Sequence, residues 1–256
     1  MSTKLIWSYW EGEYTDIVRK CLASWEKFLP GWEIKVLNEV SDEILNIPKP
    51  QSFNELTVTT KSDVIRLGLL YKYGGVWMDT TVLLLENLDW LQKYNHLPAF
   101  FFKLKNPLTG KKRKYVENWF MYSPYKQNDF FMSWLTILNN ILDTKPYQSH
   151  IAYSCPCVTD GDYYMAYQAF CHLVEKDSAF SLTLSKSYIV LIDEYPFSST
   201  LYSNWIPMVC HNRLVKFTKM SRELIKWCPF PMPYVYIILV LLFIIGMVSL
   251  AITMIK

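Results

Sequence analysis

No two of the six cysteines stand at the C-x-x-C spacing of a zinc ribbon or a redox motif. Cys21, Cys155, Cys157, Cys171, Cys210 and Cys228 also lack the spacing of a disulfide framework, so they read as reduced thiols. Cys155-Pro156-Cys157, with only Cys171-His172 for company, falls short of a zinc-ligand set. Charge imbalance is slight as well: a formal net charge of +3 leaves no electrostatic footprint for nucleic acid. The opening MSTKLIWSYWEGEY has no apolar run long enough for a signal peptide. Internal repeats, low-complexity tracts and a composition break between two globular parts are all missing. What is left room for, in 256 residues, is one well-buried α/β domain. Aromatic rings are plentiful, with ten Trp and eighteen Tyr. Most of them read as core and membrane-interface residues, although sugar-handling clefts also use rings as stacking platforms.

Charge is absent altogether from Cys228 to Ile255, and Tyr234 to Ile255 is almost wholly apolar. That run matches the ~20 residues a helix needs to cross a bilayer. Trp227, Tyr234 and Tyr236 sit where interfacial aromatics belong, and Lys256 marks the other side. The expectation is a globular domain over 1–227 followed by a single transmembrane anchor over 228–256. Lys216, Lys219, Arg222 and Lys226 precede the span and only Lys256 follows it, which predicts a globular domain facing the cytoplasm.

The richest segment is TKSDVIRLGLLYKYGGVWMDTTVLLLE, from Thr60 to Glu86. It reads as an amphipathic helix, a Gly-Gly turn and a short apolar strand ending on a carboxylate. Asp63 and Arg66 share one helix face, while Val64, Ile65, Leu67, Leu70 and Tyr71 can pack inward. Gly74-Gly75 closes the helix, because glycine takes positive φ without steric cost. Val76-Trp77-Met78 then forms a buried strand with Asp79 at its carboxyl end, where open α/β sheets hold their ligands. Two acids and a base converge on one crevice. Such a set suits a sugar nucleotide, with hydroxyls to bond and a diphosphate to neutralise.

The segment resembles the DxD-containing, sugar-binding region of glycosyltransferases of the initiating-mannosyltransferase and capsular-polysaccharide type, akin to glycosyltransferase family 32. The residues that carry the resemblance are Ser62-Asp63, Arg66, Leu70, Gly74-Gly75, Asp79 and Thr81. The opening LIWSYWEGEYTDIVRKCLASWEKFLPGWEIKVLN is similar to the start of the capsular polysaccharide synthesis branch. Two motifs in the right order are far more specific than either alone. The resemblance runs over Lys4 to about Leu91 and more faintly over Glu117 to Phe217. It implies a GT-A-like, Rossmann-type nucleotide-sugar-binding domain that transfers a hexose to a glycan, polysaccharide or glycolipid with retention of configuration. It implies donor binding by Trp7, Asp63, Arg66, Asp79 and Thr81, with Asp79, Asp63 and Arg66 as the catalytic set. Mn²⁺ or Mg²⁺ is the implied cofactor, held by Asp79, Thr81 and the late residue His211. Thr81 stands where the strict motif has a second Asp, so the site gives up one charge and one bidentate ligand. Trp7 matches the position that stacks on the nucleotide base and equally fits the core. No residue recommends itself as a covalent nucleophile, which a front-face displacement does not require. The alternative is a non-catalytic, nucleotide-sugar-binding partner of another transferase.

Elsewhere the pattern predicts strands over Lys4–Ser8, Glu33–Leu37 and Pro98–Phe102, and helices over Tyr14–Phe28, Phe130–Leu142 and Tyr163–Val174, while Glu117–Met121 resembles the family's strand beyond the first half. Ile44–Phe53 reads as an irregular connection, and Thr81–Leu85 as an extension of the strand before it. Lys103–Lys114 is a basic turn, read as a solvated hairpin tip. Asp160 and Asp162 fit turn residues better than an acceptor-binding pair.

Overall fold

The computed structural model describes residues 4–103, 114–144, 164–191, 197–199 and 214–216. Six strands form the main sheet: β1 (Leu5–Tyr9), β2 (Glu33–Leu37), β3 (Gly75–Met78), β5 (Phe100–Lys103), β6 (Glu117–Ser123) and β7 (Tyr188–Leu191). Their order is β2-β1-β3-β6-β5-β7. Pairings β1–β2, β1–β3 and β5–β7 are parallel, whereas β6 runs antiparallel to both its neighbours. This is a mixed α/β fold. A second sheet joins β4 (Val82–Leu84), β9 (Leu214–Lys216) and β8 (Phe197–Ser199) in the order β4-β9-β8.

Side-chain alternation along the strands divides the core in two. Leu5, Trp7, Tyr9, Trp77, Phe101 and Met121 face one layer, shared with helices α3 (Val58–Tyr73), α4 (Asp129–Asp143), α5 (Met165–Lys176) and α6 (Ser178–Lys186). Ile6, Val76, Met78, Phe100, Phe102 and Phe120 face the other, with Trp25 of helix α1 (Asp16–Phe28) and Val82 and Leu84 of β4. Helix α1 follows its sequence pattern: Val18, Cys21 and Trp25 recur at helical spacing and are buried. The Trp25 indole N–H donates to the Val82 carbonyl at 2.7 Å, and the Leu84 amide donates to Ser24 Oγ at 3.0 Å, so α1 pins β4 against the sheet.

Two expectations need correction. The Asp63 helix is not amphipathic: an unbroken run from Asp63 to Leu70 is buried, because α3 lies between the sheet and α4. Gly68 is part of the reason, since a Cβ there would meet the Ile47 side chain at 2.8 Å. Nor does the segment after Asp79 continue β3. The Asp79 amide still donates to the Trp119 carbonyl of β6 at 2.9 Å, but the Val82 amide turns back onto the Asp79 carbonyl at 3.0 Å. The chain therefore leaves the main sheet at Thr80 and enters the small one.

The connection expected to be irregular is so between its ends: the short helix α2 (Asp42–Leu45) runs into its start, a 3-10 turn over Phe53–Glu55 begins at its last residue, and 46–52 belong to no helix or strand. A further 3-10 helix covers Asp89–Tyr94. The expected anchor over 228–256, most of the basic turn, the Cys155-Pro156-Cys157 run, Asp160, Asp162 and His211 lie outside the described residues. Among the described residues no helix is long and apolar enough to cross a membrane.

Candidate active site

Helix α3 begins at Thr57, whose hydroxyl accepts the Thr60 amide at 3.3 Å, and ends where Gly74 adopts φ +66°. Gly75 follows with φ +91°, and a Cβ on it would lie 2.7 Å from the Leu5 carbonyl oxygen. Two glycines are thus required for α3 to turn straight into β3 beside β1. The consequence is that α3 lies against the strand it leads into, with Asp63 and Arg66 beside the carboxyl end where Asp79 emerges.

Arg66 is the hub. Its Nε donates to the Ser62 carbonyl at 3.1 Å, one terminal nitrogen to Ser62 Oγ at 2.9 Å, and the other to the Asn118 carbonyl at 3.0 Å. The same guanidinium lies 3.3 Å from Asp63 and 3.5 Å from Asp79, and 5.0 Å above the centre of the Trp77 ring. Asp63 and Arg66 are buried, with side chains 7% exposed, so they face the protein and not solvent. Asn118 donates to Asp63 Oδ1 at 2.9 Å and accepts the Tyr167 hydroxyl at 2.8 Å. Pairing between β5 and β6 shifts register after Phe101, an irregularity that falls beside Glu117 and Asn118 and next to the site.

Asp79 is the more open carboxylate, its side chain 24% exposed. The Trp77 indole N–H donates to Oδ1 at 2.9 Å, while Oδ2 accepts from Lys216, which also donates to Thr81 Oγ1 at 2.9 Å. Burial alone would push the Asp79 carboxyl up. Lys216 and Arg66, aided by the hydrogen bonds from Lys216 and Trp77, more than offset that and hold it below the ordinary carboxylate range. Asp63 goes the other way: burial dominates, the Arg66 guanidinium only partly compensates, Asp79 adds to the rise, and the carboxyl is pushed up to about 6.

The structure thus brings together Asp63, Arg66, Asp79 and Thr81. Trp7 is not among them. Its ring is 1% exposed, packs at 5.4 Å from Tyr73 and donates its indole N–H to the Gly74 carbonyl at 2.8 Å, so the core position describes it and no face is open to a base. A divalent ion on Asp79 Oδ2 and Thr81 Oγ1 would stand against the Lys216 ammonium that already bridges both. The described arrangement does not fit such an ion while Lys216 is seated. Among the described residues no three His, Cys, Asp or Glu side chains converge, and His211, the third expected ligand, is outside them.

Asn118, Tyr167 and Lys216 escaped the reading of the sequence. Asn118 had a signal, as a polar residue beside Glu117 at the start of a strand that is apolar from Trp119 to Tyr122. Tyr167 and Lys216 had none, since nothing local marks one helix tyrosine or one basic residue before the apolar run as a partner of a motif far upstream.

The O-glycosyltransferase braB of Annulohypoxylon truncatum is 28% identical over 105 residues, covering 34% of this chain and 25% of its own. The glycosyltransferase afumC of Aspergillus fumigatus is 34% identical over 104 residues, covering 34% of this chain and 27% of its own. The matched part therefore spans about a quarter of the length of these curated relatives. Among solved structures, a glycosyltransferase involved in the glycosylation of the major capsid of PBCV-1 aligns over 86% of this chain and 95% of its own, with 10% identity and a TM-score of 0.47. The family described as capsular polysaccharide synthesis protein matches residues 1–197. By that match, which takes in the strand-end Asp79 and the helix that buttresses it, this chain belongs to the capsular polysaccharide synthesis protein family.

Proposed function

We propose that this chain is a GT-A-like glycosyltransferase that takes a sugar from a nucleotide-sugar donor and passes it to a glycan, polysaccharide or glycolipid hydroxyl. The observation that carries the reading is Asp79. It is a half-open carboxylate at the carboxyl end of a parallel strand, kept ionised by two cations and steered by an indole N–H. Its uncovered face can accept hydrogen bonds from donor hydroxyls. Arg66 and Asp63 act as positioning residues. Buried and bonded to Ser62 and Asn118, they fix Asp79 relative to α3 and β6.

Transfer in this reading is a front-face displacement with retention. The bond from the anomeric carbon to the donor phosphate oxygen breaks as the bond to the acceptor oxygen forms on the same face. The acceptor's hydroxyl proton passes to the departing diphosphate. No covalent nucleophile takes part. The apolar run over 228–256 would anchor the domain at the cytoplasmic face of a membrane, near sugar nucleotides and lipid-linked acceptors.

The test is nucleotide release from a panel of sugar-nucleotide donors by the full chain, alongside Asp79→Ala. Turnover of one donor, lowered in the variant by about a hundredfold or more, is the expected result. Donor binding without turnover would instead identify a non-catalytic partner of another transferase. Absence of both would remove the basis for a donor site.

A further inference from the structure

We propose that Lys216 is a built-in cation for the donor's diphosphate, so that donor binding needs no divalent ion. The inference rests on the nucleotide-sugar reading of the site and deepens it. Strand β9 pairs antiparallel with β4, and the register sets Lys216 opposite Val82, one residue beyond Thr81. That pairing carries the ammonium to the strand end, where it donates to Asp79 Oδ2 and to Thr81 Oγ1. Thr81 is buried and the Lys216 side chain is 14% exposed, so this is a partly desolvated bridge.

The geometry makes Lys216 and a metal mutually exclusive. Both oxygens that would ligate a divalent ion are within hydrogen-bond reach of the same ammonium, and an ion placed between them would meet its charge at contact distance. Thr81 is apt for this arrangement. A hydroxyl is a good partner for an ammonium and a poor neutraliser of a divalent ion, whereas a carboxylate there would add a second negative charge. Arg66 approaches the other oxygen of Asp79. Asp79 is thereby bracketed by a guanidinium and an ammonium, and Lys216 is the more exposed of the two cations. An incoming diphosphate can accept from the ammonium in place of Thr81 while Asp79 keeps the lysine aimed. As the anomeric C–O bond breaks, the charge that builds on the departing phosphate oxygen then falls beside a fixed cation.

Binding of uridine, guanosine, adenosine and cytidine diphosphates to the full chain, by calorimetry in EDTA and in millimolar Mn²⁺, tests the proposal. One diphosphate is expected to bind with affinities that agree within about twofold in the two buffers. Lys216→Met should weaken binding in EDTA by about tenfold or more and gain a response to Mn²⁺, because the emptied oxygens now accept an ion. Lys216→Arg should stay within about threefold of the wild type. Thermal unfolding of both variants separates loss of the cation from loss of the β4–β9 pairing, and the comparison of buffers on the wild type needs no variant. Binding that requires Mn²⁺ and survives Lys216→Met overturns the proposal alone. Failure of every diphosphate to bind in either buffer overturns it together with the donor-site reading.

Discussion

Asp63 lies between a buried environment that favours its neutral form and a guanidinium 3.3 Å away that favours its charged one. Burial wins, and the carboxyl is held at about 6 against an ordinary 3.8. In the unfolded chain it ionises near the ordinary value. Between about pH 4 and pH 6 the folded state therefore binds more protons than the unfolded one, and stability falls as pH rises through that window. Above it the cost is constant. Asp63→Asn removes the titration while keeping a polar partner for Asn118. The expected outcome is that urea unfolding at a series of pH values shows the wild type losing stability relative to Asp63→Asn from about pH 4 to 6, then running parallel. A difference that is flat across the window would show an unperturbed carboxyl. Asp79 carries the opposite sign, since its carboxyl is held down by Lys216 and Arg66. Of the two acids that the motif supplies, one is thus tuned to remain charged at the strand end, and the other is buried as part of the support.

At the scale of elements, the α3–β3 corner decides whether the site exists. Gly74 and Gly75 have positive φ, and Gly75 also lies against β1, where a Cβ would meet the Leu5 carbonyl at 2.7 Å. Gly12 is the natural control: its φ is +79°, but a Cβ there meets nothing within 4 Å. Gly12→Ala should cost about 1 kcal/mol for the backbone conformation alone. Gly75→Ala adds a steric conflict with a backbone that cannot yield without breaking the β1–β3 pairing, and should cost about 3 kcal/mol or more. Chemical unfolding of the two variants against the wild type measures both. Equal costs would mean that the corner has more slack than its geometry shows. The corner was largely legible in the sequence, because Gly-Gly between a helical run and an apolar triplet is a local signal. The fate of the next segment was not. Val82-Leu83-Leu84 has the composition of a continued strand, and it leaves the main sheet only because α1 supplies Trp25 and Ser24 as partners and β9 supplies a new edge.

For the molecule as a whole, the proposed division into a globular part and an anchor makes a prediction that fractionation can check. The full chain should stay with membranes after alkaline carbonate washing, and a chain ending at Trp227 should be released; release of both would remove the anchor from the proposal. The sequence by itself determined the mixed helix-and-strand character, the run of apolar positions that became the core, the Asp63–Arg66 helix pair and the emergence of Asp79 at a strand end. These follow from helical and strand periodicity, from glycine's conformational freedom and from chain-local geometry, all of which act over a few residues. Tertiary structure alone decided that α3 is buried nearly all round, since the layers that cover it come from distant segments. It put Trp7 in the core, because Tyr73 and the Gly74 carbonyl close over the ring. It assigned Tyr167 to the Asn118–Asp63 network and Lys216 to Asp79, contacts separated by 49 and 137 residues in sequence. A charged side chain has no periodicity to betray its partner, and only the strand pairing that carries Lys216 to the end of β3 selects it from the basic residues around it.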